Sequence, residues 1–255
     1  MRSFTSKTVS DEMRLAFMAF APALPRPSDM AQPKIVDIGA GLAMYHPYLH
    51  AYFGNLSSHY IADKTVAKQD DRASARKADN IYLKHAGGFQ DASKFSFYSS
   101  LECATDIARE SGFAMSKWHT IEASSPNLEA LKSVDIVMSI LSWTYHYKVN
   151  TYIDAVKKIL KPRTGRLILT PRTGKLKDGT VLRNNEDLVE AGLICAASDV
   201  SAKKAYARLN AKQRKIFASG SGWFPVVTVC CIECSSNELL AGFQEPPEWS
   251  LLSKR

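Results

Sequence analysis

The stretch KIVDIGAGLAMYHPYL, Lys34 to Leu49, decides how the rest of the chain is read. Lys34 to Ile38 is a short apolar run with one acid inside it, Asp37, and reads as a strand. Gly39 and Gly41 come next, and glycine is the residue that turns a chain sharply or lets backbone come close to a ligand. Ala43 to Tyr52 then reads as a helix. A strand that enters a helix through a glycine turn is how an open α/β sheet builds a ligand crevice beyond the carboxyl ends of its strands.

On either side of this stretch, runs of strand and helix alternate. Pro25, Pro27 and Pro33 separate an N-terminal segment, Met13 to Pro25, which reads as an amphipathic helix packed on the main domain. HYIAD, His59 to Asp63, is a second strand, and residues 64 to 98 read as a polar, charged insertion. Ser99 to Ser111 is a helix with Leu101, Ala104, Ile107 and Ala108 on one face. Lys117 to Glu122 is a third strand, and VDIVMSILS, Val134 to Ser142, is a strongly apolar fourth. VNTYIDAVKKIL is a helix ended by Pro162 and Gly165. GRLILT is the fifth strand, Asn185 to Ala191 a short helix, and LICAAS the sixth strand. Residues 200 to 216 read as a basic helix, and PVVTVCCIEC as a last strand added at the edge after a long excursion. Alternation of this kind implies a doubly wound, mostly parallel α/β sheet with helices on both faces. The organisation expected is an N-terminal helical extension, residues 1–33, and one domain, residues 34–255.

The 255 residues are 45% hydrophobic and 23% charged, ordinary values for a globular chain with a sizeable core. A net charge of +8 permits polyanion binding, but the basic residues are spread along the chain. The five cysteines show no pairing pattern and read as unpaired thiols of a reducing, cytoplasmic compartment. Cys231 and Cys234 form a C-x-x-C, but within an apolar β-rich run and with no second Cys/His pair nearby. They read as packed strand cysteines, and no metal is expected. No apolar run reaches the ~20 residues of a membrane helix.

The glycine turn narrows the ligand. A dinucleotide fingerprint needs G-x-G-x-x-G, and position 44 is Met; a P-loop motif is absent. What stands here is acid-x-Gly-x-Gly: Asp37, Gly39, Gly41. An acid so close to the turn repels a pyrophosphate and attracts a cation. S-adenosylmethionine, with a sulfonium, an ammonium and no phosphate, meets that demand. Asp63, closing the second strand, stands where a carboxylate accepts the ribose hydroxyls. The blander reading of the same residues is a turn with two glycines and two surface acids.

With these residues the chain resembles the class I SAM-dependent methyltransferases, over about residues 34 to 234. VDIGAGLA resembles the first motif of that class, VDIVMSILSW the fourth-strand motif, and ILKPRTGRLIL the helix and strand after it. The resemblance implies a seven-stranded Rossmann-like methyltransferase sheet and S-adenosylmethionine as cofactor. It places Gly39, Ala40 and Gly41 along the methionine and ribose, Asp37 near the amino group, and Asp63 on the ribose hydroxyls. It places Glu122 beside the adenine, with Ser139 and Leu141 leading into the pocket. More narrowly, IADKT, YSSLE and SWTYHY resemble a bacterial group associated with surface-polysaccharide genes, which implies sugar methylation. One departure is that the third glycine of the class motif is Ala43 here.

The chemistry is expected at SWTYHY, Ser142 to Tyr147. Methyl transfer is an in-line displacement, so rate depends on holding donor and acceptor collinear. A hydroxyl acceptor also needs a base, and His146 has the intrinsic pKa for it. Substrate hydrogen bonding and helix packing are its other readings. Trp143, Tyr145 and Tyr147 offer aromatic faces to a sulfonium or a sugar ring. His46 and His119 are poorer candidates, the first on a helix and the second in mid-strand. The place after the fourth strand lacks the D/N-P-P-aromatic motif of base N-methylating enzymes. The expected partner is therefore a polar small acceptor, sugar- or nucleotide-linked. Alternatives are RNA, held by basic residues in 64–96 and 200–215, or a non-catalytic SAM-binding or partner-binding module.

Overall fold

Nine strands are present in the computed structural model: β1 Lys34–Ile38, β2 Ser58–Asp63, β3 Trp118–Glu122, β4 Ile136–Ser139, β5 Arg166–Leu169, β6 Thr173–Lys175, β7 Val181–Arg183, β8 Ile194–Ala197 and β9 Thr228–Cys231. The structure describes residues 17, 20–41, 43, 45–63, 101–110, 112–140, 142–175, 181–197 and 227–241. Seven of the strands form one sheet in the order β3-β2-β1-β4-β5-β9-β8. The five strands β1 to β5 pair in parallel. β9 runs antiparallel to both β5 and β8.

The chain runs outward from β1 through β2 to β3, then returns to the other side of β1 with β4. That reversal makes the carboxyl ends of β1 and β4 the switch point, where an open sheet leaves a crevice. β1, β4 and β9 are buried almost end to end, which is why their sequences read as continuous apolar runs instead of alternating ones.

Side chains alternate between two core layers. Ile35, Ile61, Ile136, Met138, Ile168 and Val229 face one layer. Val36, Ile38, Ala62, Val137, Leu167 and Leu169 face the other. The first layer is covered by α1, His46–Phe53, through Leu49 and Phe53, and by α2, Leu101–Glu110, through Ala104 and Ala108. Phe17, Phe20 and Leu24 of the N-terminal segment are fully buried in that layer, Phe17 edge-on to Tyr52 and Phe20 edge-on to Tyr45. The second layer is covered by α3, Ser125–Glu129, by α5, Ile153–Ile159, and by α6, Asn184–Glu190. Between α3 and α5 lies a short helix, α4, Trp143–His146; α7, Ser236–Ala241, closes the described chain.

Asp135 anchors the amino end of the sheet. Its carboxylate accepts from the Lys34 N–H at 2.9 Å and from the Lys161 ammonium at 2.6 Å, tying the start of β1 to the segment before β5. It lies at the opposite end of the strands from the crevice.

Three expectations are corrected. The last strand is interior, between β5 and β8, and β8 is the edge. A run as apolar as PVVTVCCIEC is buried on both faces, which an edge position does not provide. The hairpin of β6 and β7 is not visible in the sequence: each strand has three residues, too few to show a period. The cysteines are not unpaired. Cys195 and Cys230 sit opposite each other in the β8–β9 register and are bonded, and Cys231 is bonded to Cys234. With them goes the ground for inferring a reducing compartment. Among the described residues no helix is long and apolar enough to cross a membrane. The expected insertion at 64–98 and basic helix at 200–216 lie outside the described residues.

His46 and His59 form a buried pair where α1 meets β2. Their Nδ1 atoms are 2.5 Å apart, and the rings stack at 4.6 Å with Trp118 edge-on to both. Burial first, then neighbouring histidine charge, pushes the His46 pKa down to about 3 and the His59 pKa well below its ordinary value. Both rings are therefore neutral at pH 7, and one Nδ1–H donates to the other ring. His119 stacks on Tyr60 at 4.6 Å. Neither His46 nor His119 stands at the carboxyl ends of the strands.

Candidate functional site

β1 ends at Ile38, and the chain turns beyond it with positive φ at three alternate residues: Gly39 (71°), Gly41 (56°) and Ala43 (51°). The Gly39 N–H donates to the Ala62 carbonyl at 2.7 Å, carrying the β1–β2 ladder one step further. The Gly41 N–H donates to the Asp63 carboxylate at 2.7 Å. The Ala43 carbonyl then accepts from the His46 N–H at 3.0 Å, and α1 begins. Ala43 thus holds the left-handed conformation that glycine takes without strain, at a cost of about 1–2 kcal/mol. Its buried methyl packs in the first core layer.

β4 feeds the other wall. The Ser139 hydroxyl donates to the Ile38 carbonyl at 2.7 Å and accepts from the Trp143 N–H at 2.8 Å. It thereby locks the end of β1, the end of β4 and the start of α4 together. The Thr144 hydroxyl donates to the Thr170 carbonyl at 2.8 Å and accepts from the Arg172 N–H at 3.1 Å. Ser142, between these anchors, lies directly over Gly39: its Oγ and Cβ fill the space that a Cβ on Gly39 would occupy. Glycine is required there twice, by φ and by the neighbour.

Three acids stand at the carboxyl ends of three adjacent strands: Asp37 on β1, Asp63 on β2 and Glu122 on β3. Asp63 and Glu122 are register partners, and Glu122 is exposed. Asp37 is 3% exposed, on the Ile35 side of β1. Among the described residues no hydrogen bond or ion pair reaches its carboxyl. Burial, followed by the negative charge of Asp63, pushes its pKa up from 3.8 to about 8. Tyr45, at the turn into α1, has its hydroxyl held protonated above the ordinary tyrosine range by burial and by Asp37. Across the cleft, Tyr152 donates its hydroxyl to the Ala123 carbonyl at 3.2 Å. Burial, then Tyr147 and Asp63, raises its pKa.

An unpaired buried carboxyl works against folding at neutral pH. Folded, Asp37 keeps its proton up to about pH 8; in the unfolded chain it loses it near 3.8. As pH rises between these values only the unfolded state ionises, so stability falls. Asp37→Asn, which has no proton to lose, should match the parent at pH 4 and exceed it by about 2 kcal/mol at pH 7. Urea unfolding across that range reads the gap. A gap that does not widen with pH would show an ordinary carboxylate.

The structure brings together Asp37, Gly39, Ala40, Gly41, Asp63 and Ser139, and sets Glu122 at the neighbouring strand end. It corrects Trp143. That ring is 1% exposed, packs edge-on against Tyr152 at 5.5 Å, and donates its indole N–H to the Lys148 carbonyl at 3.0 Å. It offers no open face to a ligand; its place is in the second core layer. Leu141 and the side chains of Tyr145 and His146 lie outside the described residues, although the backbone of both 145 and 146 belongs to α4. Tyr45, Tyr152 and the seat of Ser142 on Gly39 have no signal in the sequence. Each depends on long-range packing, with no local spacing to announce it. Among the described residues no group of three or more His, Cys, Asp and Glu is arranged to hold a metal ion.

No protein-family model and no curated protein matches the chain. Solved structures do. A chain of the complex between the Haloferax volcanii Trm112 methyltransferase activator and an assigned methyltransferase aligns over 88% of this chain and 91% of its own, at 13% identity and TM-score 0.52. The 4+2 cyclase SpnF aligns over 88% of this chain and 81% of its own, at 14% identity and TM-score 0.49. A protein from Nostoc punctiforme assigned as an O-methyltransferase aligns over 85% of this chain at 15% identity and TM-score 0.46; this chain spans 59% of its length. The first of these likenesses shows the fold: a Rossmann-like methyltransferase sheet of seven strands, mostly parallel.

Proposed function

We propose that the chain is an S-adenosylmethionine-dependent methyltransferase that methylates a hydroxyl of a polar small acceptor, sugar- or nucleotide-linked. The observation that carries the cofactor is Asp37. A buried carboxyl with no cationic partner, at the switch point of the sheet and beside Asp63, favours a ligand that brings positive charge and disfavours a pyrophosphate. The methyltransferase-type fold supports it.

The residues present fit the cofactor. Asp37 would face its ammonium, Asp63 its ribose hydroxyls, Glu122 its adenine edge, and the turn of Gly39, Ala40 and Gly41 would let it approach backbone. When bound, the cofactor supplies an electrophilic methyl on a cationic sulfur. The chain's part is to hold the acceptor oxygen in line with that methyl, to exclude water and to take up the hydroxyl proton. We assign the proton to His146, on α4 beyond β4. The sugar acceptor rests on the SWTYHY resemblance; a phosphorylated one would suit the basic segments at 64–96 and 200–215.

Calorimetry tests the cofactor. S-adenosylmethionine or its demethylated product should bind at micromolar concentration, and NAD should not. Asp63→Asn should weaken binding by about 1–3 kcal/mol through loss of charge-assisted hydrogen bonds. Tight NAD binding, or unchanged affinity in the variant, would overturn the assignment.

A further inference from the structure

The two carboxyls of the cleft are not equivalent. Asp63 is partly exposed, and its carboxylate accepts the Gly41 N–H at 2.7 Å, a bond that favours the ionised form. Asp37 has no such donor among the described residues and is buried. The titratable groups facing it there are Asp63 from β2 and Tyr45 from the turn into α1; its register partners are Ile61 on β2 and Met138 on β4. One neighbour is a negative charge, one a neutral hydroxyl, and the others are apolar. Among the described residues nothing supplies a positive charge. Two carboxyls in one water-poor cleft with no cation share a single negative charge, because a second would be unsolvated and repelled by the first. The better solvated one, Asp63, keeps it.

We propose that entry of a cationic ligand expels a proton from Asp37, so that binding and proton release are one event. The balance is simple: the Asp37 O–H breaks, its electron pair stays on the carboxylate, the proton passes to solvent buffer, and the new carboxylate faces the ligand's ammonium or sulfonium. The cleft carries one negative charge when empty and two when filled. The empty site thus avoids an uncompensated pair of charges, and affinity depends on pH although the ligand does not titrate in the range concerned. This rests on the cofactor reading above.

The test is calorimetry with S-adenosylhomocysteine at pH 6.5, repeated in three buffers of different ionisation enthalpy. At that pH the ligand's own amine is fully charged. The dependence of observed heat on buffer enthalpy counts the protons released. With a carboxyl titrating at about 8, about one proton per ligand is expected. Affinity should rise about tenfold between pH 6 and pH 7, since each released proton makes binding tenfold more favourable per pH unit. In Asp37→Asn the release should vanish. Binding by the parent with no proton released overturns the proposal and leaves the cofactor reading standing. Absence of binding removes the cofactor reading instead. The proton is then decided by carbon NMR of the aspartate carboxyls in the ligand-free parent: a resonance titrating near 8 that is lost in Asp37→Asn supports the proposal. If all aspartates titrate near 4, it fails. The parent titration stands even if the variant does not fold.

Discussion

Replacing Gly39 with alanine should lower the stability of the ligand-free protein by about 3–5 kcal/mol and abolish ligand binding. Two separable effects add. An alanine at φ 71° costs about 1–2 kcal/mol, because its Cβ crowds the following carbonyl. The methyl must also share space with Ser142, whose Oγ and Cβ already lie where it would go. Relief by moving Ser142 disturbs α4, whose start is fixed by the Ser139 hydroxyl and the buried Trp143. Overpacking of this kind costs about 1–3 kcal/mol. A double-mutant cycle separates the two terms. Ser142 makes no side-chain capping bond to α4, so Ser142→Gly alone should cost a few tenths of a kcal/mol. Combined with Gly39→Ala, it should restore about 1–3 kcal/mol by clearing the space, while the backbone strain remains. Urea unfolding of the four proteins gives the coupling. If Ser142→Gly gives no relief, the contact with Ser142 is not what demands glycine.

The sequence is legible where one local rule governs and silent where distant segments meet. β1 and β2 are legible to within a residue because a strand buried on both faces must be a run of apolar residues ended by a turn. The acids at 37 and 63 are legible for the same reason: each closes such a run. The last strand is recognisable as a strand but not by its place in the sheet, since adjacency in an antiparallel pair is set by what its neighbours leave uncovered. That same adjacency brings Cys195 to Cys230, which sequence spacing does not announce. Trp143 misleads because an aromatic after the fourth strand serves equally as a binding face or as core. Lys148, which offers a carbonyl to the indole N–H, decides it for the core. Ala43 departs from a glycine pattern in the sequence. Its positive φ shows that the backbone of that pattern is kept even though the residue is not.

Loss of the His146 imidazole should slow methyl transfer by roughly 10² to 10⁴, the usual worth of positioned proton transfer, and leave cofactor affinity nearly unchanged. The backbone places residue 146 one helical turn beyond Ser142, which lies over the glycine turn, so α4 leads from the cofactor wall toward the acceptor side. Both ends of that placement are fixed: Ser139 holds the first N–H of α4, and Thr144 ties its middle to the loop after β5. Other described histidines do not compete for the role. His46 and His59 are buried away from the carboxyl ends and too weakly basic to accept a proton at neutral pH. If His146 takes the acceptor's proton, the parent rate should rise with pH through a group near 6.5, because only the neutral imidazole has a lone pair to offer. His146→Gln then separates chemistry from placement. Its amide keeps a hydrogen bond to the acceptor but has no basic site, so the rate should fall as far as in His146→Ala and the pH dependence should flatten. A glutamine variant with the parent's rate would reduce the residue to positioning the acceptor. An alanine variant that melts several degrees lower and no longer binds the cofactor would make it structural. Either result would point to an acceptor oxygen already ionised at neutral pH, a carboxylate or a phosphate, and the hydroxyl reading would lose its chemical basis.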